Sequence, residues 1–312
     1  MPDRRDTLRL ALDPLPEPTS AWAFLNAHVV PGLGAAWRGA LRCEQPWRGR
    51  YLDCRAAGYD VSASIGMPQV EGALVLATRS RALDDRNVAR ALAMVRGGGT
   101  VVVAGAKTDG IAALRKRFGP AEASVAKHHA TAFLLRHGET VPEPGPDGRN
   151  IDGWTVPVGT FSDDGPDGGS RLLAGFLDRA RGRIADLGAG WGFLAAGMDG
   201  PVDLYEADRR ALDAARKNKP DGRFFWHDVV REPIAERYET VVMNPPFHQG
   251  RAAEPSLGQA FIARAAECLV PRGRLLMVAN RRLPYEQVLS ERFARVEKLA
   301  DTDGFKVFQA VR

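Results

Sequence analysis

Two short stretches hold residues whose types and spacing could do chemistry. The first is Val241 to Gly250, VVMNPPFHQG, where an apolar run of strand character stops at Asn244, Pro245, Pro246 and Phe247. Successive prolines leave a chain stiff, extended and poor in backbone donors. Asn244 and the Pro245 carbonyl are therefore candidates for fixed acceptors facing a bound group; the plain alternative is a rigid strand exit. The second is Asp186-Leu187-Gly188-Ala189-Gly190-Trp191-Gly192, at a strand-to-helix turn. Glycines there admit positive φ and let backbone and helix N-terminal amides approach a ligand. The spacing is Gly-x-Gly-x-Gly behind an acidic residue, whereas a dinucleotide fingerprint asks for Gly-x-Gly-x-x-Gly.

A sheet must hold these residues. RIADLGAG (183–190), VDLYEAD (202–208), GRFFWHD (222–228) and YETVVMN (238–244) read as strands, with helical WGFLAAGM and RRALDAARKNK between the first three. A helix around AFIARAAECLV, the strand GRLLMVAN and a helix near PYEQVLSERF follow; ARVEKLA and FKVFQAV then form a hairpin over DTDG. Open α/β sheets bind ligands at the carboxyl ends of their strands. There Glu206 could accept both hydroxyls of a ribose, which argues against a 2′-phosphorylated cofactor, and Asp228 would lie close to an adenine amine. For both acids, helix capping or a solvated surface position is the alternative.

The 312-residue chain is long for one core, which predicts two domains. An apolar fraction of 45% with 26% charged residues excludes disordered and fibrous classes. The 43 Lys plus Arg against 38 Asp plus Glu lean toward a polyanionic partner. Three cysteines, Cys43, Cys54 and Cys268, lack disulfide-framework or metal-site spacing, and no stretch is apolar enough to span a bilayer or act as a secretion signal. The expectation is a cytoplasmic protein with no metal, and no feature argues for a dimer.

Residues 137–170 are dense in Gly, Pro and Asp and mark a junction. Before it, GALVLATRS, RNVARALAMVR, GGGTVVVAGAK, DGIAALRKRF and ATAFLLR repeat the order of elements around YETVVMN, GRLLMVAN and FKVFQAV, with ATRSRA standing where MNPPFH stands. This first copy has no Asp-x-Gly-x-Gly turn. The preferred account is an internal duplication whose first half has lost its chemistry; two unrelated α/β domains are the alternative. The expected division is a degenerate domain over 1–140, a linker and site-covering segment over 141–170, and a catalytic domain over 171–312.

The glycine turn, Glu206, Asp228 and Asn-Pro-Pro-Phe together resemble the class I S-adenosylmethionine-dependent methyltransferases. The resemblance implies tandem Rossmann-like α/β domains, the second a seven-stranded doubly wound sheet ending in an antiparallel hairpin. It implies S-adenosylmethionine as cofactor, held by Gly188, Ala189, Gly190 and Asn244, with Asp186 supporting the loop, Glu206 on the ribose and Asp228 on the adenine. Asn244 and the Pro245 carbonyl would bind an exocyclic amine and Phe247 would stack on its base. Asn-Pro-Pro-Phe-His-x-Gly, with GTFSDDGPDGGSRLLAGF (159–176) and its Phe161, Asp167 and Ser170, is similar to the tandem-domain, C-type guanine-N2 methyltransferases of small-subunit ribosomal RNA. That likeness implies ribosomal RNA or the small ribosomal particle as partner, with the first domain docking RNA or aiding folding. Adenine N6 or a glutamine amide as acceptor, and a non-catalytic nucleotide-fold binding protein, remain the rival expectations.

Overall fold

The computed structural model describes residues 3–138, 141–246, 248–249, 252–253 and 255–312. The chain forms two compact units, Met1–Asp147 and Gly148–Arg312. The first runs α1 (Arg4–Leu12), β1 (Trp22–Leu25), α2 (Ala35–Ala40), β2 (Leu41–Glu44), α3 (Arg48–Ala56), β3 (Asp60–Ser62), β4 (Val70–Leu76), α4 (Arg81–Met94), β5 (Val95–Ala106), α5 (Ile111–Arg117), β6 (Ala123–Lys127) and β7 (Ala130–Arg136). The second runs β8 (Gly148–Ile151), β9 (Trp154–Pro157), α6 (Gly168–Ala174), β10 (Ile184–Leu187), α7 (Phe193–Ala196), β11 (Val202–Glu206), α8 (Arg209–Asn218), β12 (Arg223–Trp226), β13 (Tyr238–Met243), β14 (His248–Gln249), β15 (Ala252–Ala253), α9 (Pro255–Cys268), β16 (Leu269–Asn280), α10 (Glu286–Arg292), β17 (Arg295–Thr302) and β18 (Phe305–Val311).

Each unit is built on a seven-stranded sheet, and the two sheets share one order: β3-β2-β1-β4-β5-β7-β6 and β12-β11-β10-β13-β16-β18-β17. In both, five parallel strands are extended by an antiparallel pair. Parallel strands covered on both faces must be apolar on both. On β13, Val241 and Met243 enter one core cluster while Val242 enters the cluster on the opposite face. All three are fully buried, and each such side chain contributes roughly 1.5–3 kcal/mol. Helix α8 starts where the Asp208 side chain accepts from the Arg210 amide; Leu212 and Ala215 pack on the sheet, while Ala214 packs on Val156 of β9 and on Trp191.

The likeness extends to an irregularity. Pairing of β4 with β5 shifts register between Val70 and Gly72, and pairing of β13 with β16 shifts between Tyr238 and Thr240. Anchored there, Gly72 corresponds to Thr240 and Leu76-Ala77-Thr78 to Asn244-Pro245-Pro246. The expected match of ATRSRA to MNPPFH is therefore two residues out of register, because the order of segments does not fix the ladder pairing.

Residues 148–157, expected within a linker, form the hairpin β8–β9 of the second unit. Its turn is Asp152-Gly153, with φ of 50° and 89°. The terminal hairpin β17–β18 turns the same way on Asp303-Gly304, with φ of 51° and 82°. Both central residues at positive φ is the geometry that Asp-Gly supplies most readily. All three cysteines are buried and free. Among the described residues no helix is long and apolar enough to cross a membrane, and no group of three His, Cys, Asp or Glu could hold a metal ion.

Candidate active site

The glycine turn leaves β10 and enters α7. Gly188, Gly190 and Gly192 have φ of 75°, 54° and 88°, which L side chains rarely adopt. Space adds a second demand at Gly188, where a Cβ would stand 3.2 Å from Phe261 Cε1 of α9. The same Cβ would lie 4.0 Å from Pro246, so this turn packs against the Asn-Pro-Pro loop. The Gly188 and Ala189 amides donate to the Tyr205 carbonyl at 2.8 and 3.1 Å, tying the turn to β11. The Gly190 amide donates to Glu206 Oε2 at 2.8 Å, and the Asp208 amide to Glu206 Oε1 at 2.7 Å.

Glu206 and Asp186 are two carboxylates taken out of water. Burial pushes Glu206 up to about 7, against the pull of the Asp208 and Gly190 amides. Burial, with the charge of Glu206 beside it, pushes Asp186 up to about 7 as well. Neither Asp186 oxygen meets a donor at full hydrogen-bond geometry; the Ala195 amide offsets only part of the desolvation. A buried acceptor pair without a partner is costly. Its place beneath a positive-φ turn, next to a carboxylate already gathered toward that turn, fits a ligand with hydroxyls and a cationic centre.

Asp228 lies two residues beyond Trp226, the β12 partner of Glu206. Its Oδ1 accepts from the Val230 and Arg231 amides at 3.1 and 3.2 Å. One oxygen thus caps its own turn, as the plain alternative holds; among the described residues no donor is seen on the other. Ala189 is buried at the turn.

Asn244 directly follows β13, with buried Pro245 and half-buried Pro246 after it; Phe247 lies outside the described residues. Asn244 Nδ2 donates to Ser170 Oγ at 2.9 Å and to both oxygens of Asp167 at 3.3 and 3.2 Å. Asp167 Oδ1 also caps α6, accepting from the Gly169 and Ser170 amides at 2.9 and 3.2 Å. Among the described residues no donor meets Asn244 Oδ1.

Some residues that shape the site carry no motif. Asn218, at the end of α8, donates to the Thr155 and Trp191 carbonyls at 2.9 and 2.7 Å, pinning the β8–β9 hairpin to the glycine turn. Trp154, Trp191 and Phe193 cluster beside it with centroids 5.6 to 5.7 Å apart. Trp191 Nε1 donates to the Ser162 carbonyl at 3.3 Å, which places Phe161, 61% exposed, next to the turn. An Asp-Gly between alternating apolar residues was the available signal for the hairpin; nothing local singles out Asn218.

The register maps these positions onto the first unit, where Phe24 corresponds to Asp186 and Gln45 to Glu206. Gln45 Nε2 donates to the Ala27 carbonyl at 2.6 Å and its Oε1 accepts from the Trp47 amide at 2.9 Å. Helix α1, capped by Asp3, packs on β5 and β7 as α6 packs on β16 and β18. From its first turn Arg4 Nη1 donates to the Ala77 carbonyl at 2.5 Å and to Asp109 at 2.8 Å. Ala77 is the counterpart of Pro245.

The methyltransferase small domain family matches residues 154–309. The ribosomal RNA small subunit methyltransferase C of Salmonella choleraesuis (strain SC-B67) is 35% identical over 174 residues, 52% of this chain and 51% of that protein. The protein of the same name from Salmonella typhimurium (strain LT2) matches to the same extent, 35% over 174 residues. The chain thus spans about half the length of the curated relatives it matches. A T. thermophilus 16S rRNA N2 methyltransferase, solved in complex with AdoMet and guanosine, superposes with a TM-score of 0.82 at 24% identity, over 99% of this chain and 91% of that one. At that identity the match speaks for the fold of both units.

Proposed function

The chain belongs to the methyltransferase small domain family, and we propose that its second unit transfers the methyl group of S-adenosylmethionine to the N2 amine of a guanine in small-subunit ribosomal RNA. The observation that carries this reading is the held amide of Asn244. Its two N–H groups are engaged by Asp167 and Ser170, so its Oδ1 is the acceptor left for a substrate. The relatives named for small-subunit ribosomal RNA methylation, and a fold shared with a protein solved with AdoMet and guanosine, support the choice of substrate.

In this reading Gly188, Ala189 and Gly190 line the cofactor's methionyl and ribose parts, and Glu206 accepts from the ribose hydroxyls. Asp228 receives the adenine amine with its free oxygen, and Asp186 faces the cationic end of the cofactor from below the turn. The cofactor, when bound, would supply an electrophilic methyl group on a sulfonium, so no general base is required before the transfer; the neutral thioether departs and the proton shed by the methylated nitrogen passes to water. The obstacle is the acceptor, because an exocyclic amine delocalises its lone pair into the base. Asn244 Oδ1 and the Pro245 carbonyl each accept one amine proton, favour a tetrahedral nitrogen and aim its lone pair at the methyl. The guanine reaches them unpaired or flipped from its helix. Phe247 and the exposed ring of Phe161 are the candidate stacking partners. The first unit, with its own edge filled, acts as an RNA-docking or structural partner, and the protein works as a cytoplasmic monomer.

The test is methyl transfer from labelled S-adenosylmethionine to small ribosomal subunits from a strain lacking this protein, followed by nucleoside analysis. The expected product is N2-methylguanosine. Label in N6-methyladenosine or in protein would overturn the choice of acceptor, and no label in any fraction despite cofactor binding would overturn the RNA assignment.

A further inference from the structure

Asp167 lies outside the motif that names Asn244, yet it decides which end of that amide meets the substrate. We infer that Asp167, with Ser170, is a positioning residue that locks Asn244 with its Oδ1 toward the acceptor amine. The inference rests on the reading of Asn244 as an amine acceptor.

The argument uses donor and acceptor chemistry. An ionised carboxylate only accepts, so a primary amide facing it must present its nitrogen. Asn244 Nδ2 lies 3.2 Å from Asp167 Oδ2 and 2.9 Å from Ser170 Oγ, which occupies both of its N–H groups. The amide is planar, so its oxygen points the other way. Asp167 is itself fixed, because its Oδ1 caps the first turn of α6. Glycines at 168 and 169 let that turn come close: a Cβ on Gly168 would lie 3.2 Å, and one on Gly169 3.0 Å, from the ring of Phe305 on β18. The turn that holds Asn244 is thus wedged against the terminal hairpin. In the first unit the equivalent helix start is Asp3-Arg4-Arg5. There Leu76 stands in place of Asn244, and Asp3 is turned instead to Arg5, at 3.0 Å.

The capping bond makes the prediction directional. In Asp167→Asn the cap still demands an oxygen toward the Gly169 and Ser170 amides, and Asn caps as well as Asp. The new NH2 then faces the Asn244 NH2, and the conflict is relieved when Asn244 turns over, withdrawing its acceptor from the site. Adding Asn244→Asp resolves the conflict differently: a carboxylate accepts from the new NH2 with one oxygen and keeps the other for the substrate.

The experiment compares Asp167→Asn, Asn244→Ala and the double variant Asp167→Asn with Asn244→Asp, all as the full chain. It reads kcat on small ribosomal subunits, S-adenosylmethionine affinity by calorimetry, and the thermal unfolding midpoint. Losing one preorganised hydrogen-bonding group of this kind costs about 10²-fold in rate. Asp167→Asn is expected to lower kcat by about that factor, with cofactor affinity within about twofold and an unchanged midpoint; the double variant is expected to recover about tenfold of the loss. Wild-type kcat in Asp167→Asn would overturn the inference. So would a kcat loss matched by lost cofactor affinity or a lowered midpoint, or no recovery in the double variant, since these mark a merely structural cap. Full activity in Asn244→Ala would instead overturn the reading of Asn244 on which the inference stands.

Discussion

The carboxyl edges of the two sheets are built to one plan and finished differently. In the first unit Gln45 uses both ends of its amide on the Ala27 carbonyl and the Trp47 amide, Arg4 fills the Ala77 carbonyl, and Phe24 replaces a charge. In the second unit the same positions hold Glu206, Pro245 and Asp186; both Glu206 oxygens accept backbone amides, and among the described residues neither Asp186 oxygen has a full hydrogen bond. In the proposed reading a handful of edge positions separates a closed scaffold from a ligand site, while the strand order stays identical. The closed version satisfies its polar groups within its own fold; the open version tolerates desolvated carboxylates until a ligand arrives.

The comparison can be broken by copying one edge onto the other. Asn244→Ala, which removes the acceptor as Leu76 does, is expected to lower kcat by about 10³-fold with S-adenosylmethionine affinity within about twofold; equal loss of both in titration calorimetry would remove Asn244 from the chemistry. Next in size is Glu206→Gln, which copies Gln45. Hydrogen bonds to a charged group are worth about 1.5–3 kcal/mol, so cofactor affinity is expected to fall by about 30-fold.

That variant also carries a pH signature. Burial raises the Glu206 and Asp186 carboxyls to about 7 in the folded protein, so between the ordinary carboxylate range and 7 the folded state holds more protons than the unfolded. Their contribution to stability is fully present at acid pH and is lost as pH rises through about 7. Ribose hydroxyls favour the ionised form of Glu206 and the sulfonium that of Asp186, so wild-type cofactor affinity is expected to weaken by between about tenfold and a hundredfold per pH unit below that midpoint. In Glu206→Gln this dependence should shrink to the share of Asp186. An affinity flat from about pH 5.5 to pH 8 in the wild type would mean that Glu206 is already ionised when the cofactor binds. The smallest effect is expected from the reverse graft. Gln45→Glu should confer no cofactor binding and should destabilise the first unit by about 1–3 kcal/mol in denaturant titration, because the Ala27 carbonyl loses its buried donor.

Much of this was legible before the structure. The parallel strands of the second unit announce themselves as apolar runs ending in Gly, Glu, Asp or Asn, and the strand exits mark the candidate site. The first three strands of the first unit do not: β1 is four apolar residues and β3, Asp60–Ser62, is mostly exposed, so neither has the length or alternation that periodicity needs. Likewise β6 is almost wholly exposed and offers no apolar face to read. The hairpin at 148–157 was hidden by the Gly and Pro around it, although its Asp152-Gly153 turn follows the same rule that identified Asp303-Gly304. Asp167 and Ser170 stood out only through a family likeness, since their role depends on a contact across 77 and 74 residues that no local pattern encodes.

The shared strand order also bears on how the protein is made. In each unit the last strand to be synthesised, β7 or β18, is an interior one, slotted between the fifth strand of the sheet and the sixth. During translation β5 and β16 must therefore wait with an open edge, even though their centres, Val101–Ala104 and Leu275–Ala279, are among the most completely buried parts of the finished fold. An exposed apolar edge is a template for wrong pairing. Here it arises twice in one chain, with two sheets of matching register. The open edge spans two intervals of the chain: after residue 106 and before 130, and after residue 280 and before 305.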